Sequence, residues 1–127
     1  MRSFRESVPR TGSQPGLPFS AAIKAGGFVF VSGQASVDGT TGEIVSDTFE
    51  VEFHRTMENL RKILRAAGAN FRQVVQVRSY VKDPADLPEY NRLYREYFSE
   101  PFPARTTITN CLGRVKFEMD VVAYVGE

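Results

Sequence analysis

Phe53, Met57, Leu60, Leu64 and Ala67 recur at steps of four, three, four and three, the spacing of one buried stripe on an amphipathic helix. Asp47 or Thr48 stands where its N-cap belongs, and Gly68 where a left-handed C-terminal cap belongs. Ahead of this helix, Phe28-Val29-Phe30-Val31 is apolar at consecutive positions, so it predicts a strand that needs cover on both faces. A short strand over 20–24 leads into it through the hairpin signal Ala25-Gly26-Gly27, and Asp38-Gly39 and Thr41-Gly42 mark later turns. Residues 74–82 are β-branched and aromatic, a further strand, which Asp83-Pro84 interrupts. Asp86-Leu87-Pro88-Glu89 then starts a second helix with a reciprocal cap, and Tyr90, Leu93, Tyr94 and Tyr97 or Phe98 form its inner face.

Two strands close the chain. In the first, Arg105, Thr107 and Thr109 share a face; in the second, residues 115–125, Glu118 and Asp120 oppose Phe117, Met119 and Val121. Gly113 between them predicts an antiparallel hairpin that brings Arg105 beside Glu118. The order β-β-α-β-α-β-β gives an α+β layer with two helices to cover one face of a sheet. The other face keeps Val, Tyr and Phe side chains with nothing in the chain to shield them, which predicts self-association.

The 127 residues suit one domain with a core that needs neither disulfide nor metal. Residues 1–17 read as an irregular arm because Pro9, Gly12, Pro15 and Gly16 punctuate them, and 18–127 read as the folded domain. Sixteen Lys+Arg against fifteen Asp+Glu leave a net charge of +1, too weak a field to hold a phosphate backbone or an anionic bilayer. Neither nucleic acid nor membrane is therefore expected as a partner. No apolar run reaches the length of a membrane span, and the N-terminal stretch lacks the apolar middle of a secretion signal, so the expected location is cytoplasmic. The single cysteine fits a reducing compartment.

The chemistry-bearing stretch is Pro101-Phe102-Pro103-Ala104-Arg105-Thr106-Thr107, with Glu118 thirteen residues after the arginine. A guanidinium can fork onto a carboxylate with two parallel hydrogen bonds, and a nearby glutamate can orient or deprotonate water. The pair suggests a hydrolase of small acids; the structural alternative is an ion pair across the sheet. His54, the sole histidine, neighbours the helix stripe and reads as a partly covered side chain, and Cys111 as a structural thiol. One His and one Cys without ligand spacing give no metal site.

Several of these segments together resemble the RidA/YjgF family of enamine/imine deaminases, also called endoribonuclease L-PSP. They are Gly26-Gly27-Phe28-Val29-Phe30-Val31-Ser32-Gly33-Gln34, Thr41-Gly42-Glu43-Ile44, Glu58-Asn59-Leu60 through Ala66-Ala67-Gly68, Tyr90-Asn91-Arg92-Leu93-Tyr94, and Pro103-Ala104-Arg105-Thr106. The resemblance runs from Pro18 to Gly126. It implies a chorismate-mutase-like, ferredoxin-type fold assembled as a homotrimer, with a site in each inter-subunit cleft and no cofactor. By the same resemblance Arg105 matches the arginine that grips the substrate carboxylate and Glu118 the acid that places the attacking water. Asp120 matches a second acidic position, with a structural role. Ser32 and Gly33 match pocket-lining positions, with Asn91 and Thr107 as further pocket candidates.

Two departures stand out. The family's pocket tyrosine is Phe19 here, in Leu17-Pro18-Phe19, which keeps an apolar wall and removes a hydroxyl. The link Asn110-Cys111-Leu112-Gly113-Arg114 is tighter than the family's and lacks its Leu-Pro. The expected activity is hydrolysis of a small 2-imino or 2-enamino acid to a 2-oxo acid and ammonia. A non-catalytic trimeric binder of carboxylates, or a chaperone-like protein, is the main rival, and an endoribonuclease is the more distant one.

Overall fold

The computed structural model describes residues 5–8 and 16–126. Strands β1 (Arg5–Ser7), β2 (Ala22–Ala25), β3 (Phe28–Ala35), β4 (Val74–Val81), β5 (Ala104–Thr109) and β6 (Phe117–Tyr124) form one mixed sheet in the order β1-β2-β3-β6-β4-β5. Helices α1 (Phe49–Ala66) and α2 (Leu87–Tyr94) cover one of its faces.

The helix stripe is where the spacing puts it: Phe53, Met57, Leu60 and Leu64 are fully buried and Ala67 nearly so. Thr48 is the N-cap, its side chain accepting from Val51 N–H, and Gly68 ends the helix at φ +81°. From the sheet, Phe117, Met119, Val121 and Ala123 of β6 face the helices, with Phe49 and Phe53 edge-on or tilted against Phe117. No described helix covers the opposite face. Phe28, Phe30, Ile108 and Tyr124 are all more than 40% exposed there, and among the described residues the ring contacts of Phe28 are its open-face neighbours Phe30 and Tyr124.

Two polar ties lock the elements that carry the candidate site. Glu52 is fully buried in α1, where its carboxylate accepts from Asp47 N–H at 3.0 Å and Lys116 N–H at 2.8 Å, with Lys116 Nζ at 3.4 Å. A buried acid with two backbone donors and an ammonium is satisfied, so it fixes the start of β6 rather than straining it. Asn59 Nδ2 donates to Ala35 O and Val37 O, which ties the end of β3 to the same helix.

Four sequence expectations need correction. Residues 5–7, assigned to an irregular arm, form a strand paired antiparallel with β2, and Val8 is buried behind it. Pro9, Gly12 and Pro15 lie outside the described residues. The cap before α2 is Asp83, which accepts from Ala85 N–H and starts a 3-10 turn; Asp86 makes no side-chain cap. The turn between the last strands bends at Asn110 and Leu112, with φ of 58° and 74°, rather than at Gly113. Most consequential, β5 and β6 are not a hairpin. β5 runs parallel to β4, and β6 lies on the other side of β4, antiparallel to both β4 and β3.

Candidate active site

Arg105 aligns with Val77 of β4, and Glu118 aligns with Tyr80 three residues further along. With β4 between them, their backbones stand roughly 14 Å apart by strand spacing and rise. They also point to opposite faces, since Val77 is buried beneath the helices whereas Tyr80 shares the open face with Asp120. Within one chain the two residues belong to two separate clusters, each a candidate half-site.

The first half-site is built on β5 and α2. Arg105 Nη2 donates to Asn91 Oδ1 at 2.8 Å, and its guanidinium carbon lies 4.8 Å from the ring centroids of both Tyr90 and Tyr94. Cation–π contact with two rings restricts the plane of the guanidinium, contributing about 0.5–2 kcal/mol per ring. Tyr90 is in turn held by a short hydrogen bond between its hydroxyl and Ser79 Oγ of β4. Burial keeps both phenols protonated, pushing Tyr94 up to about 12 and Tyr90 further still. The Tyr94 hydroxyl is itself shielded and has no hydrogen-bond partner among the described residues. Arg105 makes no ion pair there either, so the structural alternative of a salt bridge to Glu118 is not realised. Beside the guanidinium a cavity of about 200 Å³ is lined by Asn91, Tyr94, Arg95, Phe102, Pro103 and Arg105. Thr107 lies on the same face as Arg105, alongside Ser79, and is half-buried.

The second half-site is built on β3 and β6. A Cβ at position 33 would stand 2.6 Å from Glu118 Oε2, so glycine is what lets the carboxylate lie against β3. Glu118 is half-buried, and desolvation followed by the charge of Asp120 raises its pKa above the usual carboxylate value. Asp120 accepts from Arg78 Nε at 2.8 Å and from the Tyr80 hydroxyl at 3.1 Å, the structural part expected of it. Ser32 Oγ donates to Ser20 O at 2.6 Å, so its hydroxyl serves the backbone in this chain. Phe19 is 54% exposed; with Gly33 it borders a cavity of about 460 Å³ between β3, the loop after it and α1.

Tyr90, Tyr94 and Arg95 join the candidate site although sequence reasoning did not single them out, because the helical spacing of the aromatic residues points to core packing first. The signal was present. Residues 90, 91, 94 and 95 fall on one helix face at i, i+1, i+4 and i+5. His54 Nδ1 pairs with the Tyr97 hydroxyl at 2.6 Å, and Cys111 Sγ is 3.7 Å from Ile108 O, so each has a local structural partner. Among the described residues no group of three or more His, Cys, Asp or Glu could hold a metal ion, and no helix is long and apolar enough to cross a membrane.

Comparison with known proteins places this geometry in context. A family model described as Endoribonuclease L-PSP matches residues 11–125. A RutC family protein of Pyrococcus abyssi is 41% identical over 95% of this chain and 94% of its own. A protein of Dermatophagoides farinae named 2-iminobutanoate/2-iminopropanoate deaminase is 34% identical over 75% of this chain and 74% of its own. The crystal structure of RidA from the Antarctic bacterium Psychrobacter sp. superposes with a TM-score of 0.81 at 27% identity, covering 98% of this chain and all of that one.

Proposed function

Because the chain belongs to the endoribonuclease L-PSP (RidA/YjgF) family, we propose that it is a hydrolytic deaminase of small 2-imino or 2-enamino acids, working without a cofactor. The observation that carries this reading is Arg105, a guanidinium with no carboxylate partner among the described residues, set on two aromatic rings and facing a small cavity. An arginine so held is prepared to receive an acid group with little further ordering. The cavity of about 200 Å³ falls below the range for drug-sized ligands and suits a molecule of few heavy atoms.

In this reading Arg105 of one subunit holds the substrate carboxylate, and Glu118 of a neighbour, resting on Gly33, orients water toward the C=N carbon. Water adds to the protonated imine, the tetrahedral aminoalcohol collapses, and ammonia leaves with the 2-oxo acid remaining. The separation of the two groups on opposite sheet faces supports a composite site between subunits. The exposed Phe28, Phe30, Ile108 and Tyr124 supply an apolar surface for a homotrimer. The lone thiol of Cys111 suits a reducing compartment such as the cytoplasm. Phe19 in place of a phenol favours the rival reading of a carboxylate binder, because a phenyl ring can neither donate nor relay a proton.

The deciding assay measures release of ammonia and 2-oxo acid from 2-iminopropanoate generated in place, beside an RNA-cleavage control. Acceleration over the uncatalysed hydrolysis is expected, with RNA left intact. No acceleration with tight 2-oxo acid binding would leave a binder, and RNA cleavage alone a nuclease. Sedimentation equilibrium should give a mass near three times 14.2 kDa, and a well-folded monomer would remove the composite site.

A further inference from the structure

Asn91 holds two guanidiniums at once. Its side-chain Oδ1 accepts from Arg105 Nη2 at 2.8 Å, and its backbone oxygen accepts from Arg95 Nη1 at 3.0 Å. Both arginines line the same cavity of about 200 Å³, whose remaining walls are Asn91, Tyr94, Phe102 and Pro103, with no acid among them. Arg92, one turn earlier, is paired with Glu50 and Glu89, whereas Arg95 has no carboxylate partner among the described residues. Two guanidiniums lining one small cavity give it a positive potential that favours an anionic ligand. A single carboxylate is already served by the fork of Arg105, which leaves the N–H groups of Arg95 for a second acid group.

We propose that Arg95 is a specificity-determining residue and that the substrate is a 2-imino or 2-enamino dicarboxylic acid of four or five carbons. Arg105 takes the carboxylate next to the C=N carbon and Arg95 the one at the far end of the chain. The rings of Tyr94 and Phe102 flank the methylene groups between them. The hydrolysis itself is unchanged: the oxygen of water becomes the ketone oxygen, its two protons leave on nitrogen as ammonia, and no oxidant or reductant is consumed. This inference rests on the proposed deaminase reading for turnover, but not for binding.

The test therefore has two arms on the full chain and its Arg95→Gln and Arg95→Lys variants. Turnover is compared for the imines made in place from glutamate and from 2-aminobutyrate, and binding is measured by calorimetry for 2-oxoglutarate and 2-oxovalerate. In the parent protein the dicarboxylic compound should be preferred in both arms. Arg95→Gln should lower the ratio of the two kcat/KM values, and of the two affinities, by about tenfold or more, the loss expected for one charge-assisted contact. Arg95→Lys should restore part of the ratio, since an ammonium keeps the charge without the fork. A purely structural part for Arg95 would move both substrates together and leave the ratio alone, which would overturn the proposal. Equal or absent binding of the two 2-oxo acids by the parent protein would overturn it as well. If no imine is turned over while the binding preference vanishes in Arg95→Gln, the specificity assignment stands and the deaminase reading falls.

Discussion

Arg105→Ala is expected to abolish most deaminase activity while leaving the fold intact. The side chain is exposed, and its removal strips no core contact, because Tyr90 and Tyr94 remain packed against Phe53, Phe98 and each other. In the proposed reading, what is lost is the guanidinium that takes the substrate's α-carboxylate with two parallel donors. Truncating one partner of such a pair costs about 2–5 kcal/mol, roughly a 30- to 5,000-fold drop in kcat/KM. Steady-state kinetics with 2-iminopropanoate, paired with a thermal melt, separates this from unfolding. Unchanged kinetics would remove Arg105 from the site. Arg105→Lys should recover only part of the loss, since an ammonium cannot fork and makes a poorer seat on two rings.

Glu118→Gln should separate binding from turnover. The amide preserves size and can still lie against Gly33, but it has no negative charge and cannot accept a proton from water. Affinity for 2-oxobutyrate, held through Arg105, should stay close to that of the parent protein, while turnover falls by roughly 10²–10⁴, the contribution of a positioned base. Wild-type-like turnover would take the carboxylate out of the mechanism. The pH dependence follows from the environment of the acid. Burial and the neighbouring Asp120 charge raise the Glu118 pKa, with Asp120 itself bound by Arg78 and the Tyr80 hydroxyl. With the ionised form as the active one in the proposed reading, the acid limb of the rate profile should be shifted to higher pH than for an ordinary glutamate. Asp120→Asn, which removes the charge, should move that limb to lower pH.

Much of the scaffold could be read from residue spacing, because local rules decide it. The stripe from Phe53 to Ala67, the Thr48 cap and the Gly68 terminator each depend on contacts within a few residues. The two-sided apolar character of residues 28–31 foretold exposed Phe28 and Phe30 for the same reason. Strand partnership depends on contacts distant in sequence, and there the reading failed. Consecutive strands pair often enough to make a β5–β6 hairpin attractive. Yet α2 between β4 and β5 is the crossover of a β-α-β unit, which makes those two strands parallel neighbours and leaves β6 to fill the gap between β3 and β4. The site suffered from a related habit. Tyr94 is buried, as its helical spacing requires, but the same ring also seats a guanidinium, and burial alone hides that second use.

Opposite placement of Arg105 and Glu118 on the sheet has a consequence for mixtures of damaged proteins. If each pocket borrows its arginine from one subunit and its acid from the next, two inactive variants carry complementary defects. Arg105→Ala and Glu118→Gln chains, unfolded together and reassembled at equal concentration, would place an intact arginine opposite an intact acid in about a quarter of the pockets of a cyclic trimer. Activity should then rise from near zero to about a quarter of the parent value. Chains that used both groups from one polypeptide would gain nothing from the exchange.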